Sequence, residues 1–193
     1  MTYITEQQLR ERFSLARRQS NTRFFSATHV LNEGRITDSS AKYDIFLSHS
    51  SEDNEIIAGL KLLFEDFHFS VYVDWNDPEL NPQYVTPQTA ETLRNRMANC
   101  KCLIYAYSEN ARGSKWMPWE LGYFDGLKQS MVAVLPISKV SSKSIEGSEY
   151  VGLYNVIDID TIQGSTDKTL WVNNGTEYVK MSGWLQGTKP YKH

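Results

Sequence analysis

From residue 43 onward, short runs of apolar residues alternate with longer segments in which apolar residues return every three or four positions. The longer segments predict amphipathic helices. The short runs predict β-strands, at residues 44–48, 69–74, 100–107, 131–137 and 153–159. Strands that alternate with helices in this way are typical of α/β proteins with a parallel sheet. We therefore expect an α/β domain over residues 42–160.

Two flanking segments follow other patterns. Residues 1–41 contain a short helical repeat of apolar residues before a stretch rich in serine and threonine, which predicts a helical arm with a linker. Residues 161–193 contain an Asn174-Gly175 pair between two apolar runs, which predicts a β-hairpin followed by a last helix near Trp184. We expect this carboxy-terminal extension to pack on the central domain.

A long loop separates the second predicted strand from the helix after it. The loop covers residues 74–86 and ends where Thr86 and Pro87 provide an N-cap and a first-turn proline. Irregular backbone at the carboxyl ends of parallel strands is where such sheets bind ligands. Because the loop is long for a compact α/β unit, we expect it to have a function.

Two local signals concern how the helices start and pack. Ser50 and Asp53 have the spacing of a capping box, which predicts the start of the first helix of the central domain. Gly122 and Gly126 lie in a later helical segment, where we expect them to allow a close approach of helix and sheet.

Composition argues against several classes of protein. The chain has 193 residues, of which 40% are hydrophobic and 22% charged, and a formal net charge of -3. It lacks the broad positive field that nonspecific binding to nucleic acid requires. No segment approaches the ~20 apolar residues of a membrane span, and no signal peptide is evident. We therefore expect no nucleic-acid or membrane partners. The two cysteines, Cys100 and Cys102, predict buried thiols in a reducing compartment, so we expect a cytoplasmic protein.

One carboxylate stands among aromatic residues. The helical spacing places Trp116 and Glu120 on one ridge, with Trp119 on the neighbouring ridge. Pro118 fits the first helical turn, so the group lies at the start of a helix and at the carboxyl edge of the sheet. Most such glutamates are ordinary surface residues. Indole faces, however, attract cations and stack on bases, so this setting favours a functional role for Glu120 beside a flat cationic ligand.

A second polar group closes the first predicted strand. His49, Ser50 and Ser51 precede a helix, where hydroxyls and free backbone NH groups can bind an anion or a sugar. Most serine-rich turns of this kind are simply caps, and a histidine without an acidic or thiol partner is more often a spectator. The chain also lacks GxGxxG, Walker, HExxH and GxSxG motifs, which argues against dehydrogenases, NTPases, zinc proteases and α/β-hydrolases.

These segments together resemble a known family. Residues 43–50, Tyr-Asp-Ile-Phe-Leu-Ser-His-Ser, resemble the first sequence box of TIR domains, and Trp116-x-x-x-Glu120 resembles the WxxxE motif of NAD-cleaving TIR domains. The setting Trp-Met-Pro-Trp-Glu-Leu-Gly is similar to that of single-domain bacterial TIR proteins of antiphage systems such as Thoeris. The resemblance covers about residues 43–159.

The resemblance implies a flavodoxin-like sheet of five parallel strands in the order 2-1-3-4-5. It places the loop 74–86 where TIR domains have the BB loop, through which they self-assemble, and so implies a homo-oligomer. It implies that Glu120 is the catalytic carboxylate and that a downstream effector senses the product. Combining the resemblance with the setting of each side chain, the expected substrate-binding residues are Trp116, Trp119, His49, Ser50, Ser51, Asp74 and Asn76.

The chemistry of NAD+ explains why one carboxylate could suffice. Ordinary glycosidases need a second carboxyl group to protonate the leaving oxygen. The nicotinamide of NAD+ is already cationic and leaves as a neutral molecule, so the remaining task is to stabilise the oxocarbenium-like ribose. We hypothesise that Glu120 stabilises this positive charge and that the protein is an NAD+ glycohydrolase or ADP-ribosyl cyclase-like enzyme. NAD+ is then the substrate, and no cofactor or metal is expected.

Three alternatives stay open from the sequence. A noncatalytic TIR adaptor would keep the fold and act by TIR–TIR assembly. An enzyme like the nucleoside deoxyribosyltransferases would use a similar carboxylate on a similar sheet. A response-regulator receiver shares the strand order but needs an acidic cluster and a lysine at strand ends, which the sequence does not show.

Overall fold

Helices cover both faces of one sheet in a computed structural model that describes residues 3–20, 25–32, 40–74, 77, 80, 86–139 and 152–192. The strands are β1 (Ile4–Thr5), β2 (Tyr43–Ser48), β3 (Val71–Tyr72), β4 (Cys100–Tyr107), β5 (Val132–Ser138), β6 (Asn155–Thr161), β7 (Lys168–Asn173) and β8 (Tyr178–Lys180). The helices are α1 (Glu6–Gln19), α2 (Ala27–Asn32), α3 (Asn54–Asp66), α4 (Pro87–Ala98), α5 (Trp116–Lys128) and α6 (Met181–Trp184), with a 3₁₀ turn at Asn110–Gly113.

The central strands lie in the order β3-β2-β4-β5-β6, and each adjacent pair among them is parallel. Counted in chain order, these five strands have the order 2-1-3-4-5, so the predicted α/β fold is confirmed. Three more strands enlarge the sheet. Strands β7 and β8 continue it antiparallel beyond β6, and β1 pairs with the end of β5.

Alternating side chains divide the core into two layers. In β4, Ile104 and Ala106 belong to the layer with α1 and α3, whereas Leu103 and Tyr105 belong to the layer with α4 and α5. Because such a strand is covered on both faces, it appears in the sequence as a continuous apolar run. Both cysteines of β4 are buried and free, as predicted. Within the described ranges, no helix is long and apolar enough to cross a membrane.

The amino-terminal helix packs directly on the central domain. Thr5 caps α1 in a capping box with Gln8. Helix α1 then contacts α3, where the backbone of Leu9 lies so close to Gly59 that a Cβ atom on Gly59 would be 2.1 Å from the Leu9 carbonyl oxygen. Arg12 donates two hydrogen bonds, of 2.6 and 2.8 Å, to the carboxylate of Asp66 on α3. Helix α1 is therefore held on α3 by backbone contact as well as by charge.

The predicted carboxy-terminal hairpin and helix are confirmed. Strands β7 and β8 pair with Trp171 opposite Lys180, and the turn contains Gly175 with φ 95°. Glycine is favoured at that turn position because a side chain would make a positive φ strained. Met181 and Trp184 of α6 are buried in the same core layer as α1 and α3.

Two local predictions were wrong. Asp53 is the N-cap residue of α3 but makes no side-chain capping hydrogen bond, so the predicted capping box with Ser50 does not form. Its carboxylate binds other residues instead, as described below. A Cβ atom on Gly122 or Gly126 would meet nothing within 4 Å, so neither glycine is needed for close packing. That requirement belongs to Gly59.

Candidate functional site

Glu120 lies within α5 with its carboxylate turned toward the sheet. The helix starts at Trp116, and the hydroxyl of Ser114 accepts a hydrogen bond of 3.2 Å from the backbone NH of Met117, which satisfies one free donor of the first turn. One turn further on, Glu120 is only 2% exposed. Its Oε2 accepts a hydrogen bond of 2.6 Å from the hydroxyl of Ser48, the last residue of β2. The predicted catalytic carboxylate is therefore held at the carboxyl end of a central strand.

The environment of Glu120 favours the neutral acid. Burial raises its pKa to about 8, and the negative charge of Asp74 acts in the same direction. The hydrogen bond from Ser48 acts in the opposite direction, because a donor stabilises the ionised carboxylate. A strongly shifted carboxyl group at the ligand-binding edge of a sheet is a common mark of a functional site.

Asp74 and His49 are neighbours next to Ser48, the residue that binds Glu120. Nδ1 of His49 is 3.6 Å from Oδ1 of Asp74 and 3.1 Å from the carbonyl oxygen of Leu47. The side chain of His49 is 3% exposed, whereas that of Asp74 is 31% exposed. His49 thus has the acidic neighbour that the sequence pattern did not reveal.

The serines after β2 differ in exposure. Ser50 is buried, and its hydroxyl lies 3.4 Å from the backbone NH of Glu52 as a hydrogen-bond acceptor. Ser51 is exposed to solvent. Both residues lie between β2 and α3, next to the edge where Glu120 is held.

A buried network that the sequence did not predict fixes this turn. The carboxylate of Asp53 accepts a hydrogen bond of 2.5 Å from Ser108, just after β4, and one of 2.6 Å from Asn110 in the 3₁₀ turn. The Ser108 hydroxyl also accepts a hydrogen bond from the backbone NH of Ala111. The network joins the turns that follow β2 and β4, the two strands beneath Glu120. Its sequence signal, an acidic residue in a serine-rich turn, is too common to be specific.

The aromatic residues of α5 form a ladder along its surface. The rings of Trp116 and Trp119 meet edge to face with centroids 5.3 Å apart, and Trp119 stacks on Tyr123 at 5.6 Å. The guanidinium group of Arg94 on α4 lies 5.6 Å from the Trp119 centroid and 5.8 Å from that of Tyr123. In this structure a cation from the chain itself therefore lies over the indole face of Trp119.

The loop 74–86 is described at only a few positions, and Asn76 lies outside the described residues. Asp77 is buried and accepts a hydrogen bond of 2.5 Å from Nε of Arg96 on α4. The hydroxyl of Tyr72, the last residue of β3, also donates to Asp77 at 3.1 Å. This ion pair anchors the loop to α4 three residues beyond Asp74.

The structure thus groups the predicted residues unevenly. Glu120, Asp74 and His49 lie around the end of β2, with Ser50 and Ser51 in the turn that follows it. Trp116 starts the helix that carries Glu120. Trp119 faces Arg94 and Tyr123 on the outer surface of that helix.

Comparison with known proteins identifies the family of the chain. The sequence model of the family described as "Thoeris protein ThsB, TIR-like domain" matches residues 46–141. The chain is 46% identical over 165 residues to a protein of Bacillus cereus (strain MSX-D12) described as "Probable 3' cyclic ADP-D-ribose synthase ThsB'", and the match covers 83% of this chain and 85% of the relative. A protein of Cytobacillus dafuensis, named as a candidate cyclic ADP-D-ribose synthase TIR2, is 28% identical over 94 residues, which are 48% of this chain and 25% of that protein.

The match to the first relative covers most of both chains, at an identity that establishes common descent. It extends well beyond the residues matched by the family model. The strand order and the position of Glu120 on α5 agree with the resemblance that the sequence motifs suggested. This chain therefore belongs to the ThsB family of Thoeris TIR-like proteins.

Proposed function

We propose that this protein cleaves the bond between nicotinamide and ribose in NAD+. The products would be nicotinamide and either ADP-ribose or a cyclic ADP-ribose isomer, which would serve as a signal in antiphage defence. The observation that carries the proposal is the buried Glu120 carboxyl, hydrogen-bonded by Ser48 at the carboxyl edge of the sheet. The name of the Bacillus cereus relative, a 3' cyclic ADP-D-ribose synthase, supports the same reaction class.

Glu120 suits a substrate that brings its own positive charge. With a pKa of about 8, its carboxyl group is largely protonated near neutral pH in the free protein. A cationic nicotinamide ring placed beside it would favour the ionised form, because an opposite charge lowers a carboxyl pKa. As the nicotinamide leaves, positive charge moves to the ribose, and a buried carboxylate stabilises that charge more strongly than water can.

The residues around Glu120 would hold the rest of the dinucleotide. In this proposal Trp116 stacks on a ring of NAD+, and the turn with His49, Ser50 and Ser51 contacts ribose or phosphate. Asp74 would contact the substrate at the same edge, since its carboxylate lies 3.6 Å from His49. Asn76 and Trp119 complete the proposed set, with Arg94 moving off the indole when Trp119 takes up a substrate ring.

Assembly through the loop 74–86 would complete the site between subunits. Assembly needs a loop with a fixed shape, and the buried ion pair of Asp77 and Arg96 supports this because it holds one point of the loop against α4. The product would then act on a downstream effector.

The test is nicotinamide release from NAD+ by the purified protein, at high protein concentration and with a crowding agent to favour assembly. At limiting NAD+, wild type should release nicotinamide faster at pH 8.5 than at pH 6.5, because Glu120 of the free protein ionises in that interval. Glu120→Gln should lose at least about 100-fold of the rate, a typical loss for one group that stabilises transition-state charge. Glu91→Gln changes an exposed glutamate on α4 and should leave the rate unchanged.

The product is identified by mass, since a cyclic isomer is one water lighter than ADP-ribose. If wild type and Glu120→Gln release nicotinamide at the same rate, Glu120 is not the catalytic carboxylate. If the wild-type protein releases none when assembled, the chain is a noncatalytic adaptor that acts by assembly.

A further inference from the structure

We propose that Asp74 is the catalytic base that removes the proton from the hydroxyl group attacking the ribosyl carbon. This inference rests on the proposed cleavage of NAD+ and concerns the step in which the product forms. A hydroxyl oxygen of water or of ribose must lose its proton as it bonds to carbon, and a positioned carboxylate can accept that proton. The leaving nicotinamide needs no acid, but the attacking hydroxyl still needs a base, and Glu120 is engaged with the cationic ribose.

The position of β3 beside β2 brings Asp74 to the site. Strands β2 and β3 pair with Phe46 opposite Tyr72, and both residues belong to the core layer under α4 and α5. Asp74 follows two residues after the end of β3, and its Oδ1 lies 3.6 Å from Nδ1 of His49, the residue next to Ser48 in the chain. Ser48 donates its hydrogen bond to Glu120. The carboxyl groups of Glu120 on α5 and of Asp74 just after β3 therefore both lie at the end of β2.

The two carboxyl groups have different surroundings, as separate roles require. Glu120 is 2% exposed, whereas the side chain of Asp74 is 31% exposed and open to an incoming hydroxyl. The charge of Asp74 is felt at Glu120. His49 is the neighbour of Asp74 at this edge: its Nδ1 is 3.6 Å from Oδ1 of Asp74 and hydrogen-bonds the Leu47 carbonyl oxygen at 3.1 Å. A carbonyl oxygen can only accept, so Nδ1 carries the hydrogen.

The step balances in atoms and charge. The bond between the ribosyl carbon and the pyridinium nitrogen breaks, and its electron pair goes to nitrogen, which makes nicotinamide neutral. The hydroxyl oxygen forms the new bond to the same carbon. Its proton passes to the carboxylate of Asp74, which later returns it to water. Attack by water gives ADP-ribose, and attack by a ribose hydroxyl of the same molecule gives a cyclic isomer.

A nucleophile that has no proton to lose can distinguish a catalytic base from a residue that binds NAD+ or helps to break its bond. Free 3-acetylpyridine attacks the ribosyl carbon through its ring nitrogen, so the exchange of nicotinamide for 3-acetylpyridine needs no base. The experiment incubates the full chain with NAD+ and 3-acetylpyridine at pH 8.5. It measures the exchanged dinucleotide and the sum of ADP-ribose and its cyclic isomers in one chromatogram. The variants are Asp74→Asn, Glu120→Gln and, as a control in an exposed turn, Asp167→Asn.

For Asp74→Asn we expect the hydroxyl-derived products to fall about 100-fold, within the usual range for a lost general base, while exchange stays within about threefold of wild type. For Glu120→Gln both products should fall together, and for Asp167→Asn neither should change. If exchange and hydroxyl-derived products fall in parallel in Asp74→Asn, or if neither falls, Asp74 is not the base.

A second measurement uses the wild-type protein alone, so it does not depend on the folding of a variant. In deuterium oxide the ratio of hydroxyl-derived to exchanged product should fall, because only the first involves transfer of a solvent-exchangeable proton. An unchanged ratio overturns the assignment. Failure of the proposed function is distinct, since the wild type would then form neither product.

Discussion

The carbonyl oxygen of Leu9 occupies the space that a side chain on Gly59 would need. A Cβ atom there would lie 2.1 Å from that oxygen, a distance at which the two helices must separate. We expect Gly59→Ala to destabilise the protein by about 1–3 kcal/mol, as overpacking of a close contact does. For a chain of this size the loss corresponds to a melting temperature lower by roughly 2–12 °C.

Gly126→Ala is the matched control for this change. It lies in a helix where a Cβ meets nothing within 4 Å, so alanine should leave stability unchanged or raise it slightly through its better helix propensity. Thermal unfolding followed by circular dichroism measures both variants. Equal melting temperatures for the two would show that α1 adjusts without cost.

The raised pKa of Glu120 predicts how stability depends on pH. A carboxyl whose pKa rises from 4.5 to about 8 on folding keeps its proton in the folded protein and loses it in the unfolded chain between those values. Its contribution is therefore fully present below about pH 4.5 and is lost as pH rises toward 8. Glu120→Gln cannot ionise, so we expect the variant to melt near the wild type at pH 5 and roughly 10–20 °C above it at pH 8.5.

The measurement is the difference in melting temperature between wild type and Glu120→Gln from pH 5 to pH 9. Other titrating groups, such as Asp158 with a pKa raised to about 6 by burial, are present in both proteins and largely cancel in the difference. A difference that stays constant with pH would mean that Glu120 does not titrate in this interval.

Removing the hydroxyl of Ser48 should make Glu120 harder to ionise. That hydroxyl donates the 2.6 Å bond which opposes the effect of burial on the Glu120 pKa. Hydrogen bonds to charged groups contribute about 1.5–3 kcal/mol, so we expect Ser48→Ala to slow nicotinamide release about tenfold or more at pH 7.

The loss should shrink at pH 9, where more of the Glu120 population is ionised in either protein. Ser182→Ala, at an exposed position of α6, serves as the control. Rates for Ser48→Ala that fall equally at pH 7 and pH 9 would assign Ser48 a role in substrate contact rather than in the ionisation of Glu120.

Arg96 and Arg94 lie on the same helix but should respond very differently to truncation. Arg96→Ala would leave the buried carboxylate of Asp77 without its guanidinium, a change that costs about 3–5 kcal/mol in buried pairs. Arg94 is exposed and lies over two aromatic rings, so Arg94→Ala should cost only about 0.5–1 kcal/mol.

Urea denaturation at pH 7 measures the free energy of unfolding of the two variants. The double variant with Asp77→Asn and Arg96→Met should recover part of the stability lost in Arg96→Ala, because no buried charge remains. If Arg96→Ala and Arg94→Ala unfold at the same urea concentration, the Asp77 carboxylate is not sealed from water in solution.

The central fold could be predicted because its signals are local. Continuous apolar runs marked β4 and β5, and the Thr86-Pro87 pair marked the start of α4 correctly. Strand β3 is shorter than its apolar run of residues 69–74, since it lies at an edge of the sheet with one pairing partner. Strand β1 has two residues, too few for any periodicity, and forms only because β5 offers it a partner more than 130 positions away.

The candidate site was predictable in part for the same reason. The spacing of Trp116 and Glu120 is local, and so was visible in the sequence. The pairing of His49 with Asp74, and of Asp53 with Ser108, joins residues that are distant in the chain. From the sequence alone, each of these polar residues was interpreted as a helix cap or a residue without a role, because the order of the strands decides which partner it meets.

The ion pair of Asp77 and Arg96 also limits how this protein can change over evolutionary time. Loss of either residue alone would strand a charge inside the protein, whereas loss of both would not. Among relatives with the same loop, the two positions should therefore be exchanged together, so that descent leaves a correlated pair of columns linking the loop to α4.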